Sequence, residues 1–219
     1  MERLVKGIEG FVSTVYESER ALFLRLAADQ QPDVLIVTCS DSRVDPNLVT
    51  QSKPGDLFVL RNAGNIVPPY GAGGDGEAAT IEYALSVLGV RHIVVCGHTD
   101  CGAIKALLDP ESVASLTEVK RWLGYAETTR RIVERIGETD TIKRMRTAIE
   151  THVLTQLDNL RTHPAVAAAL AASELELHGW VYDIGRGHID AWCMNQRQFI
   201  DVQEAESADS SSDDWRSTR

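Results

Sequence analysis

The chain has 219 residues, 43% of them hydrophobic, enough for one substantial core and short for two. Its formal net charge of -10 excludes a surface of clustered Lys and Arg, so nucleic acid is not an expected partner. The start MERLVKGIEGF holds no continuous apolar run and no stretch approaches a membrane span, so a cytoplasmic protein without membrane partners is expected.

In chain order, Leu4, Ile8, Phe11, Val12 and Val15 recur at helical spacing, and ERALFLRLAA carries the apolar character toward Pro32, which predicts one or two amphipathic helices. The runs VLIVT (34–38), LFVL (57–60) and HIVVC (92–96) are short and rich in β-branched residues, as strands covered on both faces are. Ile81, Ala84, Leu85 and Leu88 predict a helix that starts near Asp75 as N-cap and closes at Gly89. Strand, helix and strand in that order imply βαβ crossovers. From 117 to 172 the pattern is helical, broken at Gly137 and Pro164. WVYDI (180–184) and HIDAWC (188–193) around GRG read as an edge hairpin. Residues 1–202 are thus expected as a single domain, and 203–219, rich in acids and serines, as a disordered tail.

Four cysteines are too few for a disulfide scaffold, so each needs its own explanation. Cys39, Asp41 and Arg43 in CSDSR are two apart on an extended chain just past a strand, which points all three to one side. A second strand ends in GHTDCG, where His98 and Cys101 form a short chelating pair. Parallel strands bring their carboxyl ends together. If the two strands are neighbours, Cys39, His98 and Cys101 supply three zinc ligands and leave a fourth position open, the pattern of a catalytic site. Cys96 and Cys193 lie within apolar runs and are assigned to packing.

Two rival motifs are weaker. GAGGDG contains GxGxxG at Gly71, Gly73 and Gly76, but it follows Pro68 and Pro69 rather than a strand. A thiol phosphatase or sulfurtransferase needs an arginine further along to cradle an oxyanion, and position 45 is Asp45.

CSDSR, RNAGN (61–65) and GHTDCG (97–102) together resemble the β-class carbonic anhydrases. The likeness runs through HGWVYDIGRG (178–187), and SRVDPNLVTQS and RNAGNIVPPYG are most similar to the bacterial and cyanobacterial branch. The resemblance implies an α/β fold: a mainly parallel central sheet with an antiparallel edge strand, flanking helices, and N-terminal helices packing on a dimer partner. It implies a lyase that reversibly hydrates carbon dioxide to bicarbonate and a proton with Zn2+, as a homodimer or a larger assembly of dimers. Cyanobacterial-type relatives can work in carboxysomes, so that placement stays open beside the cytoplasm.

Within that resemblance, Asp41 accepts a hydrogen bond from the nucleophile and aims it at carbon dioxide, and Arg43 holds Asp41 ionised and turned aside. Gln30, Phe58 and Tyr83 match substrate-pocket positions, and the backbone N–H of Gly102 matches an oxyanion contact. Ala63 stands where plant relatives carry a larger aliphatic residue. Some bacterial relatives bind inhibitory bicarbonate through tryptophan, arginine and tyrosine; Arg61 and Tyr182 match, but the tryptophan position is Ile36, which predicts failure of that control. Two other functions compete. Carbon disulfide hydrolases share the ligand set, whereas a non-catalytic zinc protein would have no need of Asp41 and Arg43.

Overall fold

The computed structural model describes residues 1–210. Six strands form one sheet in the order β2-β1-β3-β4-β5-β6: β1 Val34–Cys39, β2 Leu57–Asn62, β3 His92–His98, β4 Glu176–Asp183, β5 His188–Cys193 and β6 Gln198–Asp201. β2, β1, β3 and β4 run parallel, while β5 and β6 are antiparallel additions at one edge. The expected hairpin is therefore β4 and β5, and β6 is a further strand that the sequence pattern does not signal. Leu35, Val37, Ile93 and Val95 face the main core, and Ile36, Val94 and Cys96 face the other side, so the continuous apolar runs serve two buried faces.

The helices are α1 Glu2–Gly10, continued by wider turns over Phe11–Tyr16, then α2 Arg20–Leu26, α3 Pro46–Thr50, α4 Asp75–Ser86 and α5 Gly102–Leu108. They continue as α6 Thr117–Leu123, α7 Glu127–Ile136, α8 Thr141–Arg161, α9 Pro164–Ala171 and α10 Val202–Ser210. Gly137 ends α7 in the left-handed conformation (φ 73°) and Pro164 opens α9, so both expected breaks lie where the helices divide. Asp75 is the first helical residue of α4 rather than its cap, which is Gly74 at φ 74°. Only glycine suits that position, because a Cβ there would meet the Pro68 ring at 2.4 Å.

The helix α8 lies close against β3 and β4. A Cβ on Gly97 would come within 2.9 Å of Val153, and one on Gly179 within 3.0 Å of the same side chain. This approach brings the buried polar residues of α8 up to the loop after β2.

The tail expected from 203 is helical over its first part. Ala205 of α10 is buried against Ala191 and Cys193, with Val202 and Ala208 packed beside it. Small apolar residues spaced three apart make a narrow stripe that an acidic composition masks. Residues 211–219 of that expected tail lie outside the described residues.

Candidate metal centre

β1 and β3 are hydrogen-bonded neighbours, and the connection from β2 to β3 passes back across β1. Their carboxyl ends thus flank the point where the strand order reverses, where open α/β sheets build sites. Cys39 is the last residue of β1 and His98 the last of β3. Asp100 turns the chain with a left-handed backbone (φ 62°), and Cys101 follows as the residue before α5. The ligand atoms of Cys39, His98 and Cys101 all lie within 4.8 Å of one another, and all three residues are buried.

His98 is 0% exposed. Its Nδ1–H donates to the Thr99 carbonyl at 2.9 Å, which fixes the tautomer and leaves the Nε2 lone pair facing the thiols. Nε2 is buried with no hydrogen-bond partner among the described residues. Such an atom is costly unless a ligand satisfies it. The neighbouring Cys101 thiol, then His98 and the Gly64 N–H, hold Cys39 below its ordinary range, while Cys39 and burial push Cys101 up. Two thiolates and an imidazole at this spacing suit a zinc ion. Cys96 behaves differently, since burial pushes its thiol up to about 12.

Arg43 grips Asp41 with two bonds, Nε to Oδ1 at 2.9 Å and Nη2 to Oδ2 at 2.7 Å. With the Arg43 backbone N–H on Oδ1 at 3.0 Å, these bonds hold the Asp41 carboxyl well below the usual range. Asp41 Oδ2 stands 3.9 Å from His98 Nε2, so the carboxylate borders the three ligand atoms. Arg43 in turn reaches Asp100 Oδ2 at 3.2 Å, and Asp100 also pairs with Lys105. Asp45, at the position that argued against an oxyanion cradle, caps α3 by accepting from Asn47 N at 3.1 Å and Leu48 N at 3.2 Å.

Several supports escape a reading of the sequence. Gly64 N–H donates to Cys39 Sγ at 3.3 Å, and Gly64 must be glycine because its φ is +86° and a Cβ would lie 2.7 Å from Ala103. The buried His152 donates from Nε2 to Gly64 O at 2.8 Å. Arg61 donates to three carbonyls, Cys39 O at 3.0 Å, Asp41 O at 3.0 Å and Val44 O at 2.8 Å. Asn62 closes the loop by exchanging bonds with Ile66 O and N, both at 2.8 Å. RNAGN carries a signal in Gly64; His152 carries none, because its partner is 88 residues away.

The expected pocket residues fall into two places. Gly102 opens α5 beside Cys101, where a helix leaves its first N–H groups without intrahelical partners. Gln30 and Tyr83 line one open groove with Leu26, Gly55 and Val87, to which none of the three candidate ligands belongs. Phe58 stacks toward Tyr83 with ring centroids 6.1 Å apart. Ile36 is buried with Val94 and Cys96, and Tyr182 packs against that cluster.

The family model described as carbonic anhydrase matches residues 34–189. A carbonic anhydrase of Synechocystis is 45% identical over 205 residues, 93% of this chain and 75% of the relative. The solved structure of the beta-carbonic anhydrase CcaA is similar with a TM-score of 0.90 and 45% identity, over 92% of this chain and 98% of that one. One of two tetrameric beta-carbonic anhydrases from Sordaria macrospora gives a TM-score of 0.77 at 31% identity, over 87% of this chain and 95% of that one.

Proposed function

From membership of the β-class carbonic anhydrase family, to which this chain belongs, we propose that it hydrates carbon dioxide through a zinc ion held by Cys39, His98 and Cys101. The observation that carries this reading is the buried, unpartnered His98 Nε2 grouped with two thiols. Zinc in such a site supplies Lewis acidity that makes water a nucleophile near neutral pH. Two thiolates offset the ion's charge, so activity should rise toward alkaline pH.

Asp41 acts as an obligate acceptor. Ionised and held by Arg43, it can only receive a hydrogen bond, and it orients the attacking water's lone pair toward carbon dioxide. Arg43 would keep Asp41 from turning onto a bound metal. The N–H of Gly102 would stabilise charge developing on the substrate oxygen.

The groove containing Gln30 and Tyr83, with Phe58 packed against Tyr83, supports a substrate pocket that joins polar groups to an aromatic wall and that a second copy of the chain completes. The exposed apolar residues of α1 and the following turns support the same homodimer.

Stopped-flow measurement of carbon dioxide hydration with parallel metal analysis tests the proposal. The native protein should hold zinc at this site and turn over, whereas Cys39→Ala and His98→Ala should lose both. A variant with full zinc and full turnover would sink the ligand assignment.

A further inference from the structure

Among the described residues, a second group of side chains lies close enough to hold a metal: His92, Glu176 and His178. His92 opens β3 and Glu176 opens β4, and the two are direct partners in the parallel register, with His178 opposite Val94. Side chains alternate along a strand, so His92, Glu176 and His178 project from the same face of the sheet. β3 runs seven residues from His92 to His98, which separates this cluster from the candidate ligands Cys39, His98 and Cys101 by about 20 Å.

The imidazoles face each other, His92 Nδ1 to His178 Nε2 at 3.2 Å. Two ligands on one centre with bonds of about 2.0 to 2.1 Å stand about 2.9 to 3.4 Å apart at right-angled to tetrahedral geometry. The nitrogens already meet that condition. Glu176 Oε2 lies 3.8 Å from His92 Nδ1 and 3.9 Å from His178 Nε2, so a shift of a few tenths of an ångström completes the triangle. Its side chain is 66% exposed and can make that shift by a rotamer adjustment. Solvent would fill the remaining positions.

We propose that His92, His178 and Glu176 form a second divalent-metal site, which clips the amino ends of β3 and β4 together independently of the catalytic centre. Two imidazoles and one carboxylate select borderline ions such as zinc, cobalt, nickel or copper over magnesium or calcium. Protons compete for the same nitrogens, so binding weakens in acid.

The test uses untagged full-length holoenzyme, freed of loosely held metal by dialysis and titrated with Zn2+ by calorimetry, followed by gel filtration and metal analysis. The wild type should take up one further equivalent per chain beyond the catalytic one, and Mg2+ should give none. His92→Gln and His178→Gln should each lose the further equivalent while keeping the catalytic zinc and unchanged hydration, which also reports that they fold. Cu2+ added to wild-type holoenzyme should give an electron paramagnetic resonance spectrum coupled to two imidazole nitrogens. A wild type that takes up no further equivalent, one that persists in both variants, or a copper spectrum without two-nitrogen coupling would overturn the proposal.

Discussion

The loop after β2 and the helices before β1 are held by opposite means. Around residues 61–70, side chains fasten the backbone, the half-buried Trp122 to Ala63 O at 2.8 Å and the buried His152 to Gly64 O at 2.8 Å, Gln156 to Val67 N at 2.9 Å and His163 to Pro68 O at 3.0 Å. By contrast, α1, the turns after it and α2 bury no residue at all, and Leu4, Ile8, Val12 and Leu24 are all more than half exposed. Each such side chain gains about 1.5 to 3 kcal/mol when fully buried. The candidate metal end is therefore held within one chain, whereas the N-terminal end exposes the apolar side chains that the proposed homodimer would cover.

Substitutions at the fastened end should abolish chemistry without affecting assembly. Asp41→Asn should keep its zinc and its oligomeric state but lose turnover by roughly 10²- to 10⁴-fold, because an amide can donate where the carboxylate only accepts. Wild-type rates in that variant, from stopped-flow assay beside metal analysis, would reduce Asp41 to a structural role.

Charge placed on the uncovered end should do the reverse. Ile8→Glu with Val12→Glu should give monomers by light scattering, with zinc content intact and hydration reduced because Gln30 and Tyr83 no longer meet a partner. A double variant that remains a dimer with full activity would show that these helices do not form the interface.

The smallest expected effect is on pH dependence at the fastened end. Burial lowers the His152 pKa from 6.5 to about 4, so the unfolded chain binds this proton first as pH falls. Above about pH 6.5 neither state is protonated there and stability is complete; between 6.5 and 4 about 3 kcal/mol is lost. His152→Gln should be less stable at pH 7, with Gly64 O less well held, yet lose less on going to pH 5. Denaturant titrations at both pH values measure this, and equal losses in the two proteins would remove His152 as a titrating group.

Much of the metal-binding end was legible because it is made of strand termini. β-branched runs mark β1 and β3, and the residues that follow each run are the ligands, so neighbouring parallel strands were enough to bring Cys39, His98 and Cys101 together. The supports were not legible, since the bonds from His152 to Gly64 and from Gln156 to Val67 join distant parts of the chain and depend on how closely α8 approaches the sheet. β6 and α10 were hidden for another reason: four residues make a strand too short for its alternation to register, and α10 buries alanine rather than larger residues. Of the glycines in GAGGDG that resembled a nucleotide loop, Gly73 is explained by packing, as a Cβ there would collide with the Tyr125 hydroxyl at 2.2 Å, and Gly71 by its left-handed backbone at φ 80°, whereas a Cβ on Gly76 would meet open space.

In the proposed site Cys39, His98 and Cys101 would hold the metal while Arg43 keeps Asp41 away from it. A crystal structure at neutral pH, with data collected at the zinc absorption edge, tests it directly. Zinc should be bonded to those three side chains, with Asp41 on Arg43, Ile36 packed among apolar neighbours, and no bicarbonate beside Arg61 and Tyr182. Zinc bonded to Asp41, or located away from any of the three ligands, would contradict it.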